Sequence, residues 1–404
     1  MGLSAPKTMR IAVVGASLAG MRAAETLRRH GFGGRLTIVG TERHWPPYDR
    51  PPLSKEVLGG KWPLERGLLR TELDPGTDDE LDLRLGRRAI ALDTTARTIT
   101  LDDDTTVDYD GLVVATGATP RTLPGVQQTR GVHVLRTVDD MVALRADLDG
   151  PAHVAVVGAG FIGCEVAATC RQQLGHPVSL VETLAAPLVN ILGEEMGELV
   201  AQLHRQHGVD TYFGQMVTGL EGTQRVDGVR LVDGTLVRAD IVIVGIGVTP
   251  NTDWLEGSGL VVDDGVLCDA TLAAVGAENV VAAGDVARWP HPLYDGELVR
   301  VEHWTNAAEQ GEQAARTLLA LLGDGDHEAE PFATVSYFWS DQYGTRLQLV
   351  GTTTGHDRAE HPEGGVTAYL RDERVIGALC VNRPNRTIPW RRAIEARAAW
   401  PVAP

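Results

Sequence analysis

Apolar and polar positions divide the chain into short buried-strand runs separated by glycine-rich loops and helical stretches. Ile11, Val13 and Val14 form an apolar run that breaks into Gly15-Ala16-Ser17-Leu18-Ala19-Gly20. Apolar residues at helical spacing continue to about His30, Gly31 stops the helix, and residues 36–39 read as a second strand. The same grammar returns at residues 154–157, a strand followed by Gly158-Ala159-Gly160-Phe161-Ile162-Gly163. A helix carrying Glu165 opens there, and residues 178–181 form a strand that ends at Glu182. Three further apolar strands lead into glycine. Residues 112–115 end on Ala115 and close with Thr116-Gly117, residues 241–244 run into Gly245-Ile246-Gly247, and residues 280–283 run into Gly284-Asp285. Residues 60–110 are mixed, with an acidic loop at 74–80 and alternation near 97–101. A helical pattern covers about 305–322. From about residue 330 the texture changes to short strands (334–339, 347–350, 366–370, 375–381) and a final helix near 390–399, a separate α+β domain.

A chain of 404 residues is too long for one core, so two or three domains are expected. Apolar content of 43% and charged content of 23% are globular values. No apolar run reaches the roughly 18–20 residues of a membrane helix, and residues 1–9 lack a signal-peptide core. A cytoplasmic location without membrane association is therefore expected. Cys164, Cys170, Cys268 and Cys380 form no C-x-x-C and no metal-ligand spacing, so no metal is expected and the four read as small buried residues. A net charge of −17 argues against nucleic acid as a partner.

The two glycine loops carry the chemistry. Strand, tight glycine turn, helix, strand and a distal acid make a dinucleotide-binding unit, in which backbone approaches a pyrophosphate and the carboxylate accepts from a ribose hydroxyl. In the first unit Glu42 lies 22 residues after Gly20, and Ser17 stands where the middle glycine is usual. The second unit is a complete G-x-G-x-x-G, with Glu182 placed 19 residues after Gly163. Glu182 suits a free 2′-hydroxyl and repels a 2′-phosphate, and no arginine occurs at 183–190, which favours NAD over NADP. Between the units, Pro46, Pro47, Pro51 and Pro52 stiffen a segment in which a helix start capped near Ser54 is expected. That segment reads equally as a rigid surface loop or as a holder of Arg50 and Lys55 against a ligand. Asp285 suits a sugar or ribityl hydroxyl, or simply a turn.

Taken in order, GASLAG, PPYDRPPLSKEVL, VVATGATPR, VVGAGFIGCEVAA, GIGVTPN, AAGDVAR, RVEHWTNAAEQG and YFWSDQYG give a full-length resemblance. The chain resembles the single-component FAD-dependent ferredoxin reductases, of the putidaredoxin reductase and rubredoxin reductase type. The resemblance implies an α/β fold with two Rossmann-like dinucleotide-binding domains, three-layered with parallel sheets, and a C-terminal α+β interface domain. The FAD domain would be split over 1–118 and 250–328, the NAD domain would span 119–249, and the interface domain 329–404. Gly15, Ser17, Gly20 and Glu42 would hold the AMP half of FAD. Arg50, Lys55 and Arg121 would approach the flavin, with Ala115, Thr116 and Gly117 passing close to it. Gly284 and Asp285 would meet the ribityl chain, and Trp304 the flavin ring. Gly158, Gly160, Ile162, Gly163, Glu182 and Gly247 would hold NADH. Lys55 and Glu165 would form the family's ion pair beside flavin N5, and Trp339 would stand at the mouth where ferredoxin docks.

The same resemblance implies hydride transfer from NADH to FAD, then single electrons to an acidic [2Fe-2S] ferredoxin that feeds a cytochrome P450 or a Rieske-type oxygenase. Residues 36–60 hold no cysteine, unlike disulfide- or peroxide-reducing relatives, so electrons must leave for an external acceptor. An acidic partner would repel this acidic chain unless charge is locally uneven. Residues 381–404 carry Arg383, Arg386, Arg391, Arg392 and Arg397 against Glu395 alone, and are expected to contribute to docking. The alternatives are a rubredoxin reductase and a signalling flavoprotein of the apoptosis-inducing-factor kind.

Overall fold

The computed structural model describes residues 9–124, 129–323, 327–362 and 364–402. The expectation for residues 1–9 and the last two residues of the 381–404 segment thus fall, wholly or in part, outside the described residues. Two compact units form, one from Met1–Tyr48, Leu68–Ala118 and Pro250–Tyr337, the other from Asp49–Gly67, Thr119–Thr249 and Phe338–Pro404.

In the first unit five parallel strands run in the order Val280–Ala282, Gly111–Val114, Arg10–Val14, Arg35–Gly40, Leu81–Leu85. Ile11, Val13 and Val14 are buried, as are Leu36 and Ile38, because a parallel sheet covered on its faces exposes no polar stripe. Helices Leu18–Arg29 and Trp304–Leu322 pack together through small residues. A Cβ on Gly311 would come within 2.3 Å of the Ala19 carbonyl, so glycine sets that approach. An antiparallel trio, Ala89–Asp93, Thr98–Leu101 and Thr106–Asp108, accounts for the mixed region.

The second unit repeats the plan, with parallel strands in the order Asp210–Phe213, Val178–Glu182, Val154–Val157, Ile241–Val244, Val132–His133. Its antiparallel trio is Val217–Glu221, Gly228–Leu231 and Leu236–Arg238. In both sheets the strand that feeds the glycine loop is central and the chain crosses to either side of it, which creates the switch point where such sheets bind ligands. The C-terminal sheet belongs mainly to this unit and runs Tyr337–Gln342, Thr345–Gly351, Arg374–Val381, Val366–Arg371, Arg358–Glu360.

Three sequence expectations shift. The strand expected at 334–339 lies at Tyr337–Gln342, and the final helix is Thr387–Glu395 rather than 390–399. No helix starts at Ser54; Pro51–Ser54 is a single 3₁₀ turn whose last residue is Ser54. The serine hydroxyl is engaged by a distant carboxylate and caps nothing.

Candidate functional site

The glycine loops of the two units are built alike. Gly15 donates its amide to Val39 at 2.8 Å, and Gly158 donates to Val181 at 2.8 Å. Gly15 has φ +124° and Gly158 φ +98°, and a Cβ there would fall 2.0 and 2.3 Å from the Ala115 and Gly245 carbonyl oxygens. The third glycines are as constrained, since a Cβ on Gly20 would meet the Gly15 carbonyl at 1.8 Å and one on Gly163 the Gly158 carbonyl at 2.0 Å. The middle position differs in kind. Gly160 is extended at φ −73°, ψ −175°, and an added Cβ would meet nothing within 4 Å. Ser17, its counterpart, is extended at φ −110°, ψ −166° and its side chain makes no helix-cap hydrogen bond. The serine departure therefore asks nothing unusual of the backbone.

The acids sit where each second strand ends. Glu182 accepts from the Ala159 amide at 2.6 Å and from the Leu184 amide at 3.0 Å, which places its carboxylate against the glycine loop. Glu42 accepts from the buried Tyr48 hydroxyl. Tyr48 was not singled out by sequence reasoning, although it follows the acid within the same segment.

The strand-to-glycine turns are pinned by reciprocal bonds. Thr116 donates its hydroxyl to the Asn251 carbonyl at 2.8 Å, and the Asn251 side-chain amide donates to the Thr116 carbonyl at 2.8 Å. Gly117 takes φ +65° and accepts from the Asn251 amide at 2.9 Å. Asn251 is therefore a second positioning residue absent from the sequence reading, though it closes the quoted GIGVTPN. Ala115 donates its amide to the Val14 carbonyl at 2.8 Å and is buried against Gly15. Gly284, at φ +79°, lies against Ala19, and its amide donates to Gln310 Oε1 at 2.8 Å. Gln310 Nε2 is buried with no hydrogen-bond partner among the described residues. Asp285 is 8% exposed, and Trp304 opens the helix Trp304–Leu322 half-buried. Burial pushes the neighbouring His303 down to about 4, with Asp285 opposing.

Arg50, Lys55 and Arg121 belong to the second unit. Arg50 donates to the Arg136 carbonyl at 2.5 Å. Arg121 is exposed, with its amide on the Gly247 carbonyl at 2.9 Å. Lys55 Nζ lies 2.8 Å from Glu165 Oε2, both side chains buried. Breaking such a pair would leave a charge uncompensated in the interior, which is why both ends are held. Ile162 is 45% exposed, and Gly247 at φ +96° faces open space.

Trp339 is half-buried on the strand Tyr337–Gln342, with the Arg346 guanidinium 5.9 Å from its ring centroid. Arg383 donates to the Gly364 carbonyl at 2.9 Å, and Arg391 pairs with Glu395 at 3.3 Å. Arg386 and Arg392 are exposed. All four cysteines are free and buried, and burial pushes Cys170 and Cys268 up to about 12, so none is poised as a thiolate. Among the described residues no cluster of His, Cys, Asp or Glu could hold a metal ion, and no helix is long and apolar enough to cross a membrane.

The loops fit dinucleotides. Backbone lies bare at each turn, the middle position opens to free space, a carboxylate borders the second loop, and an unsatisfied amide nitrogen remains beside Gly284.

Residues 9–311 match the pyridine nucleotide-disulphide oxidoreductase family, and residues 337–403 match the family described as reductase C-terminal. The ferredoxin reductase component of chlorobenzene dioxygenase from Cupriavidus sp. is 38% identical over 96% of this chain and 93% of that protein. Putidaredoxin reductase from Pseudomonas putida is 36% identical over 93% of this chain and 89% of its own length. The crystal structure of a covalent putidaredoxin reductase–putidaredoxin complex superposes with a TM-score of 0.88 at 33% identity, covering 96% of this chain and 93% of that one. The chain belongs to the pyridine nucleotide-disulphide oxidoreductases and carries their reductase C-terminal domain.

Proposed function

We propose that this chain is an NADH-dependent ferredoxin reductase that holds FAD at the first glycine loop and NADH at the second. Electrons pass singly from it to a [2Fe-2S] ferredoxin that serves a cytochrome P450 or a Rieske-type oxygenase. The observation that carries the reading is the pair of equivalent dinucleotide loops in a chain whose four cysteines are all buried and none of which lies in residues 36–60. With no accessible thiol to receive them, reducing equivalents go to an external acceptor. Free cysteines also suit a reducing compartment, and a cytoplasmic location is part of the proposal.

Bound FAD supplies two-electron acceptance from a hydride donor and one-electron delivery to a metal cluster. The protein's own residues bind and orient. Gly15, Ser17, Gly20 and Glu42 would hold the AMP half of FAD, Thr116 and Gly117 its flank, and Gly284 and Asp285 its ribityl chain. Arg50, Arg121 and Trp304 complete that assignment. Gly158, Gly160, Gly163, Ile162 and Gly247 would carry the NADH backbone, while Glu182 takes the ribose hydroxyl and excludes a 2′-phosphate. Lys55, paired with Glu165, would supply positive charge beside the flavin, where negative charge develops when it is reduced. Trp339, Arg383, Arg386, Arg391 and Arg392 would form the docking face, a basic region on a chain of net charge −17.

The test is steady-state NADH oxidation by the yellow protein with a panel of [2Fe-2S] ferredoxins, a rubredoxin, oxygen and ferricyanide. Saturable turnover with a ferredoxin, and little with oxygen alone, is expected. Ferricyanide turnover without response to any ferredoxin, or preference for rubredoxin, would overturn the acceptor assignment.

A further inference from the structure

We propose that Ser54 is a positioning residue for the Lys55–Glu165 pair, its hydroxyl fixing the carboxylate oxygen that faces the lysine. The inference rests on the role proposed above for that pair. Ser54 ends the 3₁₀ turn Pro51–Ser54 and is 1% exposed. Its Oγ lies 2.5 Å from Glu165 Oε2 and 3.3 Å from the Pro51 carbonyl. A hydroxyl has one proton to give, and the shorter contact to a carboxylate takes it. Lys55 Nζ meets that same Oε2 at 2.8 Å, while Oε1 accepts from the Asp341 amide at 3.3 Å.

The helix that carries Glu165 grips both ends of the serine. Glu165 takes the hydroxyl proton, and Thr169, one turn further on, donates its own hydroxyl to the Ser54 carbonyl at 2.8 Å. Two donors on one oxygen stop the carboxylate turning about its terminal bond, which is otherwise a soft torsion. The lysine ammonium rides on a flexible stem, and among the described residues Glu165 is the acceptor that fixes it. Without the serine proton the carboxylate keeps Lys55 and the longer, 3.3 Å contact from the Asp341 amide, so its plane can tilt and the ammonium loses its defined place. Nothing at Glu182 or at the second glycine loop changes, so the loss falls on the rate of reduction and leaves nucleotide affinity intact.

Anaerobic stopped-flow bleaching of the flavin by NADH in the holoenzyme tests this. Ser54→Ala is expected to lower the limiting rate about tenfold, about 1.4 kcal/mol, with the half-saturating NADH concentration unchanged. Ser54→Thr, which restores the hydroxyl, should recover it to within about threefold. Thermal unfolding of the holoenzyme supplies a readout besides activity. Ser54→Ala and Glu165→Ala should be strongly non-additive in melting temperature, since the second removes the acceptor of the first. A wild-type limiting rate in Ser54→Ala, or additive losses in the cycle, would overturn the proposal. If Lys55→Met and Glu165→Gln also leave the rate unchanged, the role of the pair falls as well; if they slow it and Ser54→Ala does not, the serine assignment alone fails.

Discussion

Gly160 and Gly163 stand in one loop, yet they are glycines for opposite reasons. At Gly163 the space is taken by the protein itself, with the Gly158 carbonyl 2.0 Å from where a Cβ would go. At Gly160 the backbone is ordinary and the space is empty. Gly163→Ala should therefore damage the fold of the second unit, whereas Gly160→Ala should fold normally and put its methyl on the path proposed for the pyrophosphate. For Gly160→Ala we expect a melting temperature within about 2 °C of the parent, in keeping with substitutions that touch nothing. The KM for NADH should rise about tenfold or more while flavin content is retained. A normal KM would show that the nucleotide does not cross this position. Ser17, at the equivalent point of the first loop, is likewise extended, so its backbone accepts a side chain without strain.

Elements defined by short-range pattern were legible, and those defined by distant partners were not. Buried runs such as 11–14 and 154–157, with glycine at the end, identify parallel strands and loops because period and turn chemistry are local. Ser54 sat behind two prolines and resembled a helix cap, but its hydroxyl partner is 111 residues away. The position of Glu182 could be read, while its contact with the Ala159 amide could not. The final helix stops at Glu395 despite the alanines beyond it. Arg397 turns left-handed at φ +49°, and the Ala398 carbonyl is claimed by the Val375 amide at 3.1 Å, so the sheet edge overrides helix propensity. This helix also carries the charge argument. Arg391 pairs with Glu395 at 3.3 Å, in the less favourable order for such a pair, and Arg392 is exposed. Arg391→Glu with Arg392→Glu should raise the KM for an acidic ferredoxin about tenfold at low salt. The gap should close toward 1 M salt, where the Debye length is about 3 Å. Ferricyanide turnover is the reference, and an equal loss in both assays would remove these arginines from the docking face.

Across the whole molecule the two units share a vulnerability to acid. His291 lies in the first unit and His204 in the second, both fully buried, and burial pushes each down to about 4 from an ordinary 6.5. At His291 the neutral ring is fixed by its neighbours: Nε2 lies 3.0 Å from the Thr334 carbonyl and donates to it, while Nδ1 accepts from the Leu293 amide. Protonating Nδ1 would set one N–H against another. Between pH 6.5 and 4 the unfolded chain binds these protons and the folded chain does not, so stability rises with pH through that window and is fully present above it. Each group is worth up to about 3 kcal/mol by pH 4, at about 1.4 kcal/mol per pH unit. Acid also reduces the net charge of −17, which opposes the trend by relieving self-repulsion. Above about pH 5 the carboxylates stay ionised, and the histidines held low by burial, His303 among them, decide the sign. Urea unfolding at pH 7.5, 6 and 5 should show falling stability, and tryptophan emission is a suitable probe because Trp289 packs 5.6 Å from the His291 ring. His291→Gln should flatten the slope by close to one proton. Constant stability down to pH 5, or a variant slope equal to that of the parent, would place the acid sensitivity elsewhere.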